Sequence, residues 1–232
     1  MRDPQLRQTI DACSLSFVAG FVDTCVFVGL FGLFTAHVTG NMALVGAAIV
    51  HRSGGEIGKL LSLPVFVAAV VITVHLTARL RRARWQRVPI VLWAEALLLV
   101  ATAIVAIAAG PRAGPDDAVA IAAGMCAVAA MGMQNALMRV ELSTLPATTV
   151  MTVNVTQVVV DAVMLSIGHG ASPDDADPTA QARARLSKMW PPVLAFTVGA
   201  ACGAFGYSSI GWLSLLVPAA GCAALGVAIS RR

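Results

Sequence analysis

The chain has 232 residues, of which 58% are hydrophobic and only 12% are charged, and its formal net charge is +4. Soluble globular domains carry about twice that share of charged residues, and a mean hydropathy of +0.81 excludes that class. We therefore expect an all-α integral membrane protein whose chain crosses the bilayer several times.

The excess of basic residues does not indicate a nucleic-acid partner. Five of the sixteen lie between Arg79 and Arg87, between two apolar runs, where membrane proteins carry topology signals and contact anionic lipid. The sequence holds no HExxH, GxSxG or Walker A pattern, and its five cysteines lie in apolar segments without a CxxC pair. We expect a protein that is not an enzyme and holds no metal or other cofactor.

In chain order, six apolar runs are interpreted as membrane spans. They cover residues 12–35, 60–80, 88–109, 118–138, 191–205 and 212–229, with a turn at 206–209. The first is too long for a signal peptide and lacks a cleavage site. Two further apolar segments, 42–50 and 145–168, are short or polar and are expected to re-enter the membrane without crossing it. Hydrophilic loops are predicted at 110–117 and 171–188.

Basic residues discriminate between topologies, because short cytoplasmic loops accumulate Lys and Arg. With six spans and both termini inside, thirteen basic residues lie inside, and Arg52, Lys59 and Arg112 lie outside. Eight spans would divide them ten to six, and seven spans eleven to five. The six-span arrangement is favoured, in a bacterial inner membrane with residues 81–87 facing the cytoplasm.

Two polar interruptions of apolar sequence organise the chain. The first break is His37–Asn41, and the second break is Met151–Asn154. Their Thr, Gly and Asn residues weaken helix propensity and carry polar groups that lipid cannot satisfy.

The residues ahead of each break also match. Gly20 and Asp23 precede the first break, and Gly132 and Asn135 precede the second at nearly the same spacing. This match predicts two related halves, residues 1–110 and 111–232. Three spans in each half would make these halves inverted repeats, which is a common design of secondary transporters.

The stretch Val18–Asp23 and the first break, followed later by Gly132–Asn135 and Thr149–Asn154, resemble the YoaK-like family of bacterial membrane proteins, a domain of unknown function. The resemblance covers nearly the whole chain, and its most specific part is the Gly-x-x-Asp and Thr-Gly-Asn pair. It implies an integral inner-membrane protein of about this length. It implies no particular substrate.

Six polar positions are predicted to line a substrate site near the middle of the membrane. They are Thr39, Gly40, Asn41, Asn135, Thr152 and Asn154. Such hydroxyls and amides, with a single acid nearby, suit a small neutral or cationic solute.

Four titratable residues are candidates for proton coupling, because charges within a bilayer are costly. They are Asp23, Glu95, Asp161 and His37. Asp23 lies near the middle of the first span without a basic neighbour in the sequence, so we expect it to carry a proton. The alternative is a hydrogen-bonded acid that ties two helices together.

The other three candidates also have structural alternatives. Glu95 can extend towards the arginine-rich turn. His37 can cap a helix end. Asp161 follows Asn154 by seven residues, which places both side chains on one helical face and towards one cavity.

Gly199 and Gly203 form a GxxxG pattern, which is typical of close helix packing. The partner helix can belong to the same chain or to a second copy, so a homo-oligomer through this face is one alternative.

Three functions remain open. The first is a small secondary transporter or permease, coupled to protons through Asp23. The second is an uncoupled, channel-like facilitator that uses the same breaks, and the third is a membrane scaffold that transports nothing.

Overall fold

The computed structural model describes residues 4–51, 54–110, 113–149, 151–167 and 178–231. All the regular secondary structure of these residues is helical, which confirms the expected all-helical class for the described part of the chain. The elements are α1 (Pro4–Gly29), α2 (Val38–His51), α3 (Glu56–Arg82), α4 (Arg87–Ala109), α5 (Ala118–Val140), α6 (Met151–Ile167), α7 (Pro178–Ile210), a 3₁₀ turn (Gly211–Leu215) and α8 (Leu216–Ser230).

Five segments are long and apolar enough to cross a membrane. They are Gln5–Gly29, Glu56–Arg82, Arg87–Ala109, Ala118–Val140 and Thr179–Ser230, the last of which contains α7, the 3₁₀ turn and α8. The two short helices are apolar but contain only 14 residues in α2 and 17 in α6. The chain is therefore an α-helical membrane protein.

Helix α7 is longer than the sequence patterns predicted. It begins at Pro178, so the second part of the expected 171–188 loop is helical, while residues 171–177 lie outside the described residues. Ala, Gln, Arg and Leu favour a helix here, and Pro is tolerated in the first turn. The expected turn at 206–209 is also helical, and the chain bends instead at Gly211, whose φ of 60° suits glycine.

Helix α1 begins and ends earlier than predicted, because it covers Pro4–Gly29 and not residues 12–35. Phe31 and Gly32 follow with φ values of 51° and 78°. This left-handed backbone cannot continue a right-handed helix. The chain therefore turns back beside α1 before α2 begins.

The turn between α3 and α4 marks one end of the helical bundle, which we call the arginine end. Arg81 and Arg87 each place a nitrogen 3.1 Å from the carboxylate of Glu141, just beyond α5. Gln86 donates a hydrogen bond to the carbonyl of Ser230, at the end of α8. Helices α3, α5 and α8 therefore end at the arginine end.

The opposite end of the bundle joins the end of α1 to the start of α3. Lys59 Nζ donates to the carbonyl of Phe31 at 2.9 Å. Gly54, just before α3, lies against Pro115, just before α5. Helix α1 therefore ends, and α3 and α5 begin, at the opposite end.

Helices α1 and α7 run in parallel in close contact. A Cβ added at Gly199 would overlap the carbonyl of Phe17, and one added at Gly203 would overlap the carbonyl of Phe21. The GxxxG pattern thus packs within one chain, which is the first of the two alternatives that the sequence left open.

Helices α3 and α5 form a second parallel pair. An added Cβ at Gly132 would lie 2.9 Å from the Cβ of Ala69, and the equivalent glycine on α1, Gly20, lies against the carbonyl of Phe196 on α7. Helix α1 of the first half thus packs along α7 of the second half, and α5 of the second half packs along α3 of the first half.

Neither short helix continues to the far end of the bundle. Helix α2 begins beside Asp23, nearly two turns before the end of α1, and leads to α3 at the opposite end. Helix α6 begins beside Asn135, more than one turn before the end of α5, and its Asp161 pairs with Arg185 near the start of α7. Each short helix returns to the end at which the preceding long helix stopped.

Candidate functional site

The first break is held by the carboxylate of Asp23, which is 3% exposed. Its Oδ1 accepts hydrogen bonds from the amide of Thr35 at 2.7 Å, the hydroxyl of Thr35 at 3.0 Å and the amide of Ala36 at 2.7 Å. Its Oδ2 lies 2.6 Å from Nδ1 of His37. The carboxylate therefore anchors the α1–α2 connection to α1.

His37 connects this buried acid to its surroundings. Its side chain is 38% exposed, compared with 5% for that of Asp23. Since a carboxylate oxygen accepts, Nδ1 carries the hydrogen and Nε2 is left for exchange with the exterior of the site. The imidazole edge meets the rings of Phe34 and Phe196, with ring centroids 5.8 Å and 5.9 Å away.

Asn41 fixes the start of α2. Its Oδ1 accepts from the amide of Phe34 at 2.9 Å, and its Nδ2 donates to the carbonyl of Phe34 and to the hydroxyl of Ser62, both at 2.8 Å. The residue is fully buried. Its amide is therefore used within the protein and stabilises the break.

The second break repeats this geometry. Nδ2 of Asn154 donates at 2.6 Å to the carbonyl of Ala147, seven residues earlier, as Asn41 does to Phe34. Oδ1 of Asn135 accepts from the hydroxyl of Thr149 at 2.5 Å. Asn135 thus takes the position at the second break that Asp23 has at the first. It accepts one hydrogen bond from the α5–α6 connection, whereas Asp23 accepts four from the α1–α2 connection.

The remaining predicted substrate positions differ in exposure. Thr39 and Thr152 are exposed near the starts of α2 and α6. Gly40 is partly buried, and an added Cβ would lie 3.1 Å from the ring of Phe34. The first break bonds to α1 and α3, whereas Asn135 of α5 holds the second, so these contacts do not bring the six positions into one site.

Glu95 does not extend towards the arginine-rich turn, because Arg87 pairs with Glu141 instead. Its side chain is fully buried, and Oε1 accepts from the thiol of Cys222 at 3.4 Å. Oε2 has no hydrogen-bond partner among the described residues. The snorkelling interpretation is therefore wrong, and Glu95 belongs to the contact between α4 and α8.

Asp161 and Asn154 share the buried face of α6, as their spacing predicted. Asp161 accepts from Nη2 of Arg185 at 2.8 Å and from Gln157 at 3.0 Å. A carboxylate paired with a guanidinium is held in its charged form. This contact ties α6 to α7 and favours a structural role over proton carriage.

Two lysines outside the set of predicted site residues donate hydrogen bonds to the two connections. Lys59 of α3 donates to Phe31, in the α1–α2 connection, and Lys188 of α7 donates to Thr144, in the α5–α6 connection. Each lysine precedes the apolar part of the helix that follows a short helix. This shared position in the sequence is the signal by which the two lysines could have been predicted.

Two cavities occupy matching places at the two ends. The cavity at the arginine end measures about 240 Å³ and lies between the start of α1, the α5–α6 connection and the start of α7. It is lined by Gln5, Gln8, Thr9, Ala12, Leu145, Pro146, Ala184, Ser187 and Lys188. The matching gap at the opposite end, between the start of α5, the α1–α2 connection and the start of α3, measures about 20 Å³. The opposite end also holds a cavity of about 380 Å³ between the ends of α1, α4 and α7 and the start of α5, and Phe31 and Ala120 line both spaces.

A family model described as a protein of unknown function, DUF1275, matches residues 12–228. The chain belongs to the DUF1275 family. This confirms the expected uncharacterised family, while the narrower YoaK-like name stays a prediction. No curated protein and no solved structure matches the chain.

The described part of this DUF1275 chain contains no group of three His, Cys, Asp or Glu side chains that could hold a metal ion. The polar groups at its breaks are mostly bonded to the backbone.

Proposed function

We propose that the chain is a small secondary transporter that moves a small polar solute by alternating access. In this proposal six helices cross the bilayer, α2 and α6 enter from opposite faces, and the two halves are inverted repeats. The observation that carries the proposal is the contrast between two equivalent gaps, one beside each connection, of which one measures about 240 Å³ and the other about 20 Å³.

The matched breaks support the inverted repeat. Both halves have the order of long helix, connection, short helix and two further helical passes. In both, an asparagine of the short helix bonds a carbonyl seven residues earlier. Helix α2 returns to the opposite end and α6 to the arginine end, as expected of repeats of opposite orientation.

The packing of the two ends supports alternating access. The cavity at the arginine end is polar and measures about 240 Å³, whereas its counterpart is apolar and measures about 20 Å³. Lys188 is exposed and Lys59 is 5% exposed. An inverted-repeat transporter has this asymmetry in one of its two states and the reverse asymmetry in the other. Here the gap at the arginine end is the wider of the two, and the basic residues of that end favour the cytoplasmic side.

The pair formed by Asp23 and His37 is the proposed coupling group. Its 2.6 Å contact ties the α1–α2 connection to α1, and a proton on the imidazole makes it an ion pair. Gain or loss of this proton changes the strength of the contact that holds the first break. Proton binding therefore biases the position of the connection that lines the opposite end.

Purified protein in proteoliposomes provides the test. Uptake of a panel of small solutes is measured with and without a pH gradient. The proposal expects accumulation driven by the gradient. Downhill flux that does not depend on the pH gradient would favour the channel-like facilitator. No flux of any solute in a broad panel would favour the scaffold.

A cross-link at the opposite end sharpens this test. An added Cβ at Gly58 would lie 3.8 Å from Cγ1 of Ile121, so cysteines at these two positions would be close neighbours. Oxidation of the Gly58→Cys, Ile121→Cys protein should stop uptake, and reduction should restore it. Uptake that continues in the cross-linked protein, with each single variant as control, would show that this end does not need to open.

A further inference from the structure

Three helices end at the cavity of about 380 Å³ at the opposite end of the bundle. Gly29 is the last residue of α1, Ala109 is the last residue of α4, and Tyr207 lies in the last turn of α7. All three residues line the cavity. The carbonyl groups at the C-terminus of a helix lack intrahelical partners and carry partial negative charge, so the lining favours a cation.

Two of these helix ends keep carbonyl groups that the fold does not use. At the end of α1, the carbonyls of Val26 and Phe27 accept hydrogen bonds from amides that follow the helix. At the end of α4, the carbonyl of Ile107 does the same. In the described part of the chain, no donor is bonded to the carbonyls of Gly29 and Ala109. Acceptors for a ligand are therefore present in the lining.

Three aromatic side chains belong to the same lining, those of Phe31, Tyr207 and Trp212. The rings of Tyr207 and Trp212 meet edge to face, with centroids 4.8 Å apart and planes at 69°. Both rings lie over Gly29, where an added Cβ would overlap them. An aromatic face attracts an ammonium group that lies within about 6 Å of its centroid. Rings and helix C-termini thus meet at one cavity.

The backbone of Phe31 indicates a ligand contact. Its φ of 51° lies in the left-handed region, which bulky residues rarely adopt. The residue is 45% exposed, so burial of its ring does not offset this cost. Residues in such conformations cluster at ligand-binding sites, where the strain serves function.

The lining selects the kind of cation. Its side chains are apolar or aromatic, and none of those described carries a formal charge. A compact, strongly hydrated metal ion would lose its water here without gaining a carboxylate. A bulky alkylammonium group spreads its charge over a larger surface and suits aromatic rings and carbonyl oxygens.

We propose that this cavity binds the ammonium group of a small organic cation, either a free solute or a lipid headgroup. The rings of Phe31, Tyr207 and Trp212 contact the ammonium, and the C-termini of α1 and α4 stabilise its charge. The volume lies within the range of ligand pockets, about 300–1,000 Å³. The inference goes beyond the proposed transport and does not depend on it.

Choline binding tests whether the cavity recognises charge. The purified full-length protein is placed in nanodiscs of phosphatidylglycerol, and binding of radiolabelled choline is measured by equilibrium dialysis, with empty nanodiscs as background. The competitor is the neutral alcohol in which a carbon atom replaces the choline nitrogen. Choline should bind, and the alcohol should compete at least about tenfold more weakly. No choline binding, or equal competition by the alcohol, would overturn the inference.

Variants of the rings test the location of the site. Trp212→Leu should weaken choline binding about tenfold, and Trp212→Phe should weaken it less because a ring remains. Phe31→Leu should weaken binding several-fold with little change in thermal midpoint, since Phe31 is partly exposed. It carries the test where Trp212→Leu does not fold. Trp85→Leu, a 65% exposed tryptophan at the arginine end, is the matched control and should bind choline as wild type does. Unchanged affinity in a folded cavity variant, or an equal loss in Trp85→Leu, would contradict the assignment.

Nanodiscs that also contain phosphatidylethanolamine separate the two sources of the ammonium group. If the lipid headgroup occupies the cavity, choline should bind several-fold more weakly in these nanodiscs, and Trp212→Leu should remove the difference. Equal choline binding in both kinds of nanodisc would assign the cavity to a soluble cation.

Discussion

The two breaks have the same backbone plan but different chemistry. Asp23 gathers four hydrogen bonds from the α1–α2 connection, whereas Asn135 receives one from the α5–α6 connection. A carboxylate offers only acceptors and can bind several donors at once, while an amide divides its capacity between donating and accepting. The first break is therefore the more tightly anchored one, and it alone of the two carries a titratable pair.

The largest expected effect comes from removing the anchor of the first break. Asp23→Leu leaves four donors without an acceptor. Two of them, the amide and the hydroxyl of Thr35, are fully buried, and each buried donor left unpaired costs about 1–3 kcal/mol. We expect a loss on the order of 4 kcal/mol or more in the free energy of unfolding, measured by thermal unfolding in detergent. Asn135→Leu, its counterpart, should lose clearly less. Equal losses would show that the number of hydrogen bonds does not decide the stability of the breaks.

The two short-helix asparagines give the next comparison. Asn41→Ala removes three buried hydrogen bonds, including the one to Ser62, and should cost about 3 kcal/mol. Asn154→Ala removes the bond to Ala147 and a weak contact to Met151 Sδ, and should cost about 1 kcal/mol. Urea titration of the purified variants measures both values. A larger loss at Asn154 would contradict the interpretation.

A conservative change separates anchoring from coupling. Asp23→Asn keeps the size of the side chain and an acceptor for Thr35 and Ala36, so we expect a loss of only about 1–2 kcal/mol in stability. The amide cannot form an ion pair with His37, so solute accumulation driven by a pH gradient should disappear, while exchange without a gradient persists. Wild-type accumulation in this variant would exclude the pair as the coupling group.

The smallest effect concerns two glycines of the same short helix. An added Cβ at Gly40 would press on the ring of Phe34 at 3.1 Å, whereas one at Gly46 would meet nothing within 4 Å. Ala is favoured over Gly inside a helix by about 1 kcal/mol. Gly46→Ala should therefore stabilise the protein, and Gly40→Ala should gain less or lose stability. Thermal midpoints of the two variants, compared with wild type, would refute this if Gly40→Ala were the more stable.

Several features of the fold followed from the sequence because they depend on local composition. Apolar runs of bilayer length predicted the long helices. The Thr-Gly-Asn pattern was expected to interrupt a helix, but Thr39, Gly40 and Asn41 lie in the first turn of α2, which begins at Val38. The spacing from Asp23 to the first break predicted that Asn135 is the equivalent residue at the second break. These signals depend on chain length, on the hydrogen-bonding needs of backbone in lipid and on spacing along the chain.

Other expectations failed because they depended on which helix stands opposite a side chain. One alternative had Glu95 reach the arginine-rich turn, but Glu141 binds Arg81 and Arg87 and Cys222 faces Glu95. The asparagines were expected to face a solute, yet their amides bond the adjacent connections. Each outcome required the positions of groups far away in the sequence.

The membrane class, the two breaks and the acid ahead of the first were determined by the sequence alone, since hydropathy and helix propensity act over neighbouring residues. The tertiary structure alone decided that Lys59 is buried while Lys188 is exposed, and that the gap beside the α5–α6 connection measures about 240 Å³ while the one beside the α1–α2 connection measures about 20 Å³. Both lysines precede the apolar part of a helix, so no local pattern distinguishes them. Their difference arises from how α1, α3, α5 and α7 pack together.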